Sequence, residues 1–402
     1  MTYNLLDGTR VIEYGNMVSA PFCAKILGDL GAEVIKIEDP EGGDRSRRRE
    51  PFLNDIPGSE RSGLFLYHNM NKLGITLNLR TATGKKIFAD LLRDANIFVE
   101  NNLPQAAEAL GITYSQVSEI NPGIVMTSLT PFGQTGPYRH YKGGELIAAH
   151  TGGAGKVSTR ETELSDPPIK MPANQYTTQA GLAAAAGTLG ALYRQGLTGH
   201  GQYLDISEQD SVVQNMSVAL LYLYYPKRIP SRSDRMNIAP YHILPCKDGY
   251  INMAFIQEGQ WKRLLEVMGK PEWGESELFQ NPVSRAEYWD GLRPLIVEWT
   301  MQYNKTEIFQ LCQDNRVPVS PLNTGKDLLE SRQMASRGFI VEVDHPETGK
   351  LKYPGTPYHF GVAPREEPRP APLLGQHNEA IYCGRLGYSK RDLAKLKEAG
   401  II

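Results

Sequence analysis

The chain has 402 residues, of which 41% are apolar and 22% are charged. These fractions are typical of a globular protein in water, and the length allows two domains or one large domain with an insertion. The 43 Lys and Arg residues nearly balance the 45 Asp and Glu residues, so neither nucleic acid nor a membrane surface is expected as a partner.

Strand and helix signals alternate through the first two hundred residues. In chain order, they predict a strand at 10–14, a helix at 21–30, a strand at 33–38, a helix at 81–95, strands at 97–100 and 124–127, a helix at 177–195 and a new element at 204–207. This order predicts an α/β protein with a large, doubly wound, mostly parallel sheet. The small residues of the helix at 177–195 predict a close approach by another backbone.

The second half of the chain changes character. In chain order, it predicts a basic connector at 224–240, a turn and strand at 248–253, helices at 260–268, 285–302 and 305–314, a β-hairpin beginning at 338, a proline-rich surface segment at 364–372, and a last helix capped by Ser389 and ending at Gly400. The middle of the chain therefore predicts a second, smaller α+β domain.

The cysteines and the apolar runs indicate the compartment. Cys23, Cys246, Cys312 and Cys383 are widely spaced and form no metal-ligand pattern, which predicts reduced thiols in the cytoplasm, with Cys23 packed in a helix. No signal peptide is expected, because the N-terminus lacks a basic region followed by an apolar run. The longest apolar stretch, 213–225, predicts a core helix and not a membrane span, which needs about 18 residues or more.

Six ordered blocks of sequence carry a family resemblance. They are LLDGTRVIEYGNMVSAPFCAKILGDLGAEVIKIEDPEGGDRSR, NMNKLGITLNLRTATGKK, FVENNLP, SLTPFGQTGPY, TGHGQYLDISEQD and RPAPLLGQHNEAIYCGRLGYSKRDLAKLKEAGII. Together they resemble the family III CoA-transferases, also called the CaiB/BaiF family, over essentially the whole chain. The resemblance implies coenzyme A or acyl-CoA and an organic acid as substrates, with no metal.

The resemblance also implies an architecture. The large domain would be built from both chain ends, 1–223 with 326–402, and the small domain from the middle, 224–325. Two protomers would pass through each other as interlocked rings. The active site of the family lies between the large domain of one protomer and the small domain of its partner.

The reactive residue of the family is missing from this chain. In the family, a nucleophilic aspartate lies four residues before a glycine and takes the acyl group from the CoA ester as an anhydride. Here that glycine is Gly181, and Thr177 occupies the aspartate position. A threonine hydroxyl cannot take this role without a base beside it. A small shift of register restores nothing, because 175–179 contains no carboxylate, and we predict that this chain has no catalytic residue of its own.

Other family positions are changed as well. Ala109 occupies a position where the family often has an arginine for the CoA phosphates, which a guanidinium binds through two hydrogen bonds. The family's Lys-Arg pair is Lys72-Leu73, its Tyr-Asp pair is Gly144-Glu145, and a basic or aromatic position is Asn16. Four such changes predict a CoA site that has decayed or been repurposed.

Lys72, Asn101 and Asn16 remain the candidate contacts for CoA, although a solvated lysine and a strand-end asparagine fit the first two as well. Glu145 is a weak surrogate for the missing acid, and a surface glutamate is the simpler interpretation. The run at 45–49, RSRRR, is more typical of a solvated face than of a phosphate or carboxylate site. The histidines show no ligand spacing, so no metal site is expected.

Three functions stay open. In the first, the chain is a subunit of a heteromeric CoA-transferase with a succinyl-CoA-like donor, and an Asp-bearing paralogous partner supplies the nucleophile. The nearest analogue is the transferase that activates benzylsuccinate in anaerobic aromatic catabolism. In the second, the chain pairs with itself as a transferase with a non-standard residue or as an acyl-CoA racemase or isomerase, with Glu145 and His150 as acid–base candidates. In the third, it is a CoA-ester-binding scaffold without activity.

Overall fold

The computed structural model describes residues 4–157, 163, 165–167, 171–225, 227, 229–231, 238–361 and 367–402. The chain forms two compact units. The first contains the described residues of 1–158, 168–229 and 337–402, and the second those of 159–167 and 230–336. The domain limits inferred from the sequence, 1–223 with 326–402 and 224–325, stay a prediction beside these structural units. Parts of the predicted segments at 224–240 and 364–372 lie outside the described residues.

A parallel sheet forms the centre of the first unit. Its strands are β1 (Arg10–Tyr14), β2 (Glu33–Glu38), β3 (Lys72–Thr76), β4 (Ile97–Glu100), β5 (Val125–Thr130) and β6 (Gln202–Ser207). Their order is β3-β2-β1-β4-β5-β6, and every neighbouring pair is parallel. The predicted α/β class with a doubly wound parallel sheet is confirmed. The strand order reverses between β1 and β4, which is where ligands bind in such sheets.

Helices connect and cover these strands. In chain order, they are α1 (Ser19–Asp29), α2 (Gly63–His68), α3 (Ala82–Arg93), α4 (Pro104–Leu110), α5 (Tyr114–Ile120), α6 (Glu145–Thr151), α7 (Ala154–Val157), α8 (Gln175–Thr198), α9 (Glu208–Asn215) and α10 (Ser217–Tyr224). Short 3-10 turns at Arg45–Arg48 and Leu53–Asp55 lie between β2 and α2.

The two faces of the sheet bury separate apolar clusters, because successive strand residues face opposite sides. Ile12 and Ile35 belong to the cluster that includes Ile87 of α3. Val11 and Val34 belong to the cluster that includes residues of α1 and α8. The sheet is therefore covered on both sides, as parallel sheets usually are.

Helix α8 lies unusually close to α1. A Cβ atom at Gly181 would lie 2.6 Å from the carbonyl oxygen of Ser19, so only glycine fits there. This contact confirms that the small residues of the predicted helix permit a close backbone approach. It also brings the first turn of α8 beside the loop that follows β1.

The second unit contains an antiparallel sheet with helices. Its elements are β7 (Tyr241–Cys246), β8 (Gly249–Ala254), α11 (Glu258–Val267), 3-10 turns at Glu272–Glu275 and Glu277–Phe279, α12 (Pro282–Glu287), α13 (Trp289–Thr300), α14 (Lys305–Asp314), β9 (Val319–Pro321), α15 (Gly325–Leu329) and α16 (Arg332–Ser336). Its core surrounds Trp261, Leu264 and Ile296. The single helix predicted at 285–302 is instead two helices, separated at Tyr288.

The C-terminal segment returns to the first unit. It forms β10 (Ile340–His345), β11 (Gly349–Pro354), α17 (Asn378–Tyr382) and α18 (Lys390–Glu398). The predicted hairpin is confirmed by the antiparallel pairing of β10 with β11. The predicted cap of the last helix is confirmed as well, because Ser389 Oγ accepts a hydrogen bond from the amide of Asp392.

The prediction of a core helix at 213–225 is wrong for α10. None of its residues is buried, and Val218, Leu223 and Tyr224 are more than half exposed. The apolar sequence was a correct observation, but none of the described residues buries this helix. Exposed apolar surfaces of this kind are typical of interaction sites.

A buried charge cluster connects the centre of the sheet to its loops. Lys36 Nζ lies 2.8 Å from Glu13 Oε1 and 2.9 Å from Asp44 Oδ2, and all three side chains are fully buried. Lys72 Nζ lies 2.7 Å from Glu13 Oε2. Burial alone would lower the pKa of Lys36, but the carboxylates of Asp44 and Glu13 outweigh it and raise the pKa above its usual value.

We predict that Lys36→Met lowers the free energy of unfolding by about 3 to 5 kcal/mol, because it leaves two buried carboxylates without their cation. Urea unfolding measures the change. The matched control is Lys390→Met, which removes an ammonium paired with Glu379 on the surface, where both side chains are more than half exposed. It should cost much less than Lys36→Met, because solvent screens exposed ion pairs. Equal losses in the two variants would contradict a structural role for the cluster.

Candidate functional site

The candidate site lies at the carboxyl ends of the parallel strands, where the strand order reverses. Asn16 follows β1, and Asn101 follows β4. The amide of Asn16 donates to Asn101 Oδ1 at 2.8 Å, and Asn101 Nδ2 donates to the carbonyl oxygen of Asn16 at 2.7 Å. These reciprocal bonds fix the two loops to each other at the point where doubly wound folds bind their ligands. The structure therefore brings two of the three predicted CoA contacts together.

A cavity of about 980 Å³ opens beside this pair. Residues from several loops and from the ends of helices and strands line it: Asn16, Met17, Val18, Ser19, Arg45, Arg48, Arg49, Glu50, Phe52, Leu64, Asn101, Leu103, Leu129, Pro131, Lys142, Gly143, Gly144, Glu145, Leu146, Asn174, Thr177 and Glu208. Asn16, Asn101, Glu145 and Thr177 were singled out from the sequence. The cavity is thus the place where the predicted site residues meet.

Thr177 lies in the first turn of α8 and is bonded to Glu145. Its hydroxyl donates to Glu145 Oε2 at 2.8 Å, and its backbone amide donates to the same oxygen at 2.9 Å. The amide of Tyr176 donates to Glu145 Oε1 at 3.0 Å. The Glu145 carboxylate therefore satisfies the free amides at the start of α8 and complements the positive end of the helix dipole. Glu145 is therefore a partly exposed residue that caps a helix, a role that neither interpretation drawn from the sequence included.

Glu208 is a second carboxyl group on the cavity wall, which the sequence analysis missed. It begins α9 directly after β6 and is 5% exposed. Burial raises the pKa of Glu208 to about 7; a hydrogen bond from the Ser19 side chain opposes this rise, and the charge of Glu145 adds to it. The acid directly follows the element predicted at 204–207, in the block TGHGQYLDISEQD. That element is strand β6, and a position at the carboxyl end of a parallel strand was the available signal.

The arginine run divides between two roles. Arg47 is fully buried, and its guanidinium donates to both oxygens of Glu38 at 2.7 and 2.8 Å. Arg45, Arg48 and Arg49 are exposed and line the cavity. Across the described part of the chain, no carboxylate lies within 4.0 Å of these three. The solvated face predicted from the sequence is therefore also a cation-rich wall of the candidate site.

Lys72 is not among the residues that line the cavity. It is the first residue of β3, at the opposite end of the sheet from the carboxyl-end loops. Its ammonium contacts Glu13, the carbonyl oxygen of Pro21 at 2.8 Å and Asn69 Oδ1 at 2.8 Å. The buried ammonium therefore donates two hydrogen bonds within the interior and is paired with the Glu13 carboxylate, and it does not face the cavity. Burial, as the main cause, lowers its pKa to about 8.

The cysteine thiols offer no replacement nucleophile at the site. Cys23 is fully buried in the cluster between α1 and the sheet, which confirms its predicted packing role. Burial raises its pKa to about 12, so it stays a thiol at neutral pH. His150 lies in the last turn of α6, is exposed, and is not among the cavity residues. It does not join Glu145 as an acid–base pair in this structure.

Comparison with known proteins identifies the family. Residues 6–378 match the model of CoA-transferase family III. The chain belongs to CoA-transferase family III. Formyl-CoA:oxalate CoA-transferases are 32% identical to it: that of Streptomyces coelicolor over 100% of both chains, and that of Rhodopseudomonas palustris over 98% of this chain and 96% of its own. The predicted CoA-transferase class and CoA ester substrate are thereby confirmed.

A solved structure gives the same family. The crystal structure of a CaiB/BaiF family protein from Brucella suis matches with a TM-score of 0.85 at 28% identity, over 95% of this chain and 100% of that one. In the described ranges, no group of three or more His, Cys, Asp or Glu side chains is arranged to hold a metal ion. None of the described helices is both long and apolar enough to cross a membrane.

We predict that Glu145→Ala destabilises the start of α8 by about 1 to 2 kcal/mol, because two amides and the Thr177 hydroxyl lose their acceptor. Glu145→Gln keeps a carbonyl oxygen and should cost less. Hydrogen exchange at the amides of Tyr176 and Thr177 locates the effect, and urea unfolding gives its size. Unchanged exchange at both amides in the alanine variant would refute the capping role. Glu41→Ala, at an exposed position outside the cavity, is the control.

Proposed function

We propose that this chain is a subunit of a heteromeric CoA-transferase that moves CoA between an acyl-CoA and a carboxylic acid. In this proposal the nucleophilic aspartate comes from a paralogous partner subunit. The observation that carries it is the state of Thr177: its hydroxyl is bonded to a carboxylate that already caps a helix, so the position holds no free acyl acceptor. This chain would supply the scaffold and a wall of the partner's active site.

The exposed helix α10 supports a partner chain. It presents apolar side chains, among them Leu220, Leu221 and Tyr225 just beyond it, that no part of the described chain covers. Burial of such a surface favours association. We propose that a second chain covers it in the interlocked-ring arrangement. A cytoplasmic location is part of the same proposal and is supported by the four cysteines, which are all free thiols.

The substrate proposal combines the resemblance with the relatives' names. A succinyl-CoA-like donor was inferred from the sequence, together with a role in anaerobic aromatic catabolism, and the relatives are named for formyl-CoA and oxalate. Oxalate and a succinyl group share a carboxylate beyond the reacting one. Arg45, Arg48 and Arg49 provide cations for such a group at the cavity. We therefore favour substrates with a second carboxylate.

We predict that the chain expressed alone transfers no CoA, because it lacks an acyl-accepting carboxylate, and that co-expression with an Asp-bearing paralogue restores transfer. The assay follows exchange between an acyl-CoA and a labelled acid, with the assembly state measured on the same samples. Robust transfer by the lone chain would reject the heteromer. Binding of CoA esters without transfer, and with no Asp-bearing partner recovered, would favour the scaffold function.

A second candidate is a self-paired enzyme that uses a non-standard carboxyl group, as a transferase or as a racemase or isomerase. The observation that favours it is the presence of Glu145 and Glu208, two carboxyl groups of this same chain, on the cavity that contains Thr177. The heteromer remains the better supported, because Glu145 is occupied as a helix cap. Unchanged activity in Glu145→Gln would remove Glu145 from this second candidate.

Restoring the acid at position 177 tests whether the remaining site is competent. We predict that T177D alone regains little transfer, because the new carboxylate would lie against Glu145 and like charges raise each other's pKa. The double variant T177D/E145Q removes that repulsion and should transfer CoA at least about tenfold faster than T177N/E145Q, a difference of roughly 1.4 kcal/mol in the barrier. Equal rates in the two double variants would mean that the site has lost more than its nucleophile.

A further inference from the structure

The cavity contains a buried carboxyl group to which the proposed heteromeric transferase gives no role. Glu208 lines the same cavity as Thr177 and is 5% exposed. No Lys, Arg or His nitrogen within the described residues lies within 4.0 Å of its carboxyl group. Buried carboxylates are normally paired with a cation, because desolvation disfavours the charged form. Glu208 is therefore placed where the neutral acid is the favoured state.

A polar network lies beside Glu208. Asn101 Nδ2 donates to Ser19 Oγ at 3.2 Å, and Ser19 and Glu208 line the same cavity. The Ser19 side chain opposes the rise that burial causes in the pKa of Glu208. Asn16 holds Asn101 in place through two hydrogen bonds. The two residues predicted to contact CoA therefore belong to the same polar network as Ser19.

The charges around Glu208 complement an anion with two negative charges. The charged and titratable groups on the elements packed against α9 are Glu145 and His150 on α6, Tyr176, Tyr193 and Arg194 on α8, Tyr203 and Asp205 on β6, and Tyr222 and Tyr224 on α10. The cavity wall adds Arg45, Arg48, Arg49, Glu50 and Lys142. With Glu208 protonated, the cavity wall carries four cations against the carboxylates of Glu50 and Glu145. Two cations are then left for a ligand.

We propose that this cavity is a proton-linked binding site for a dicarboxylic acid. The arginines on its wall pair with one carboxylate of the acid, and the protonated Glu208 donates a hydrogen bond to the other. A carboxylic acid that stays neutral in order to donate is an established use of a buried acid. The inference rests on the proposed function only in assigning an acid to this cavity, and it does not depend on which chain supplies the attacking carboxylate.

The proposal fixes the pH dependence of binding. Burial, opposed by the Ser19 hydrogen bond and aided by the charge of Glu145, puts the pKa of Glu208 at about 7. Below that pH the acid is already protonated, whereas above it each binding event must take up a proton. Linkage then requires the affinity to fall by about tenfold from pH 6 to pH 8.

Calorimetry on the chain as purified, with any partner subunit that accompanies it, tests the proposal. The probes are oxalate, which is doubly ionised throughout this range, and acetate as the monocarboxylate. Titrations at pH 6 and pH 8 in two buffers of different ionisation enthalpy measure proton uptake. We expect oxalate to bind more tightly than acetate, with proton uptake at pH 8. E208Q keeps a donor amide and should bind oxalate equally at both pH values without proton uptake.

The control variants separate this role from a structural one. Asp210 lies two residues further along α9 and is exposed, so D210N should behave like the wild type. R49Q should weaken oxalate binding by about tenfold, whereas R80Q, at an exposed position outside the cavity, should not. A pH dependence that survives in E208Q, or acetate binding as tight as oxalate binding, would overturn the proposal. Weaker binding of CoA, but not of oxalate, in R49Q would assign the arginines to the CoA phosphates instead.

These titrations need no turnover. A failure of CoA transfer in both the lone and the co-expressed chain would therefore reject the proposed function while oxalate binding is still measured. Conversely, intact CoA transfer with no detectable oxalate binding would reject the dicarboxylate site alone.

Discussion

The buried ammonium of Lys36 is the contact on which the site depends. It joins Glu13, in the central strand β1, to Asp44, in the loop that follows β2. Asp44 also accepts hydrogen bonds from the amides of Met17 and Ser46. One cation therefore fixes the loops after two neighbouring strands relative to each other. A buried ion cluster is a costly way to gain stability, but its directional bonds specify one arrangement of those loops.

That arrangement sets the wall of the cavity. The amide of Arg45 donates to Asn16 Oδ1, so a hydrogen bond holds the arginine run at 45–49 against the loop after β1. Arg47 extends into the interior and holds the segment to Glu38, whereas its neighbours stay on the cavity side. Gly181 then lets α8 approach the same loop and places Thr177 against it. Packing and buried charge thus fix the positions of the site residues. The cavity is formed without a bound ligand.

The sequence predicted the features that are encoded locally. Alternating apolar runs predicted the parallel strands, and Ser389 predicted the cap of α18, because each depends on a few neighbouring residues. Exposure of α10 was not predictable, because an apolar helix has the same pattern whether its own core or a second chain covers it. The arginine run looked uniform in sequence, yet the 3-10 turn at Arg45–Arg48 directs Arg47 inward. Glu208 was missed because burial of an acid depends on distant loops.

The threonine at position 177 shows that binding and reaction place different demands on this site. Reaction needs a free carboxylate, whereas binding needs the shape and charge of the cavity. Glu145 supplies the acceptor that the start of α8 requires, so the helix and the cavity persist without an acid at 177. Glu208 takes no part in the helix cap, and within the described residues no Lys, Arg or His nitrogen lies within 4.0 Å of its carboxyl group. The two carboxyl groups therefore differ by environment: one satisfies the backbone, and the other is left for a proton and a ligand. The proposed loss of the nucleophile therefore does not imply loss of the site.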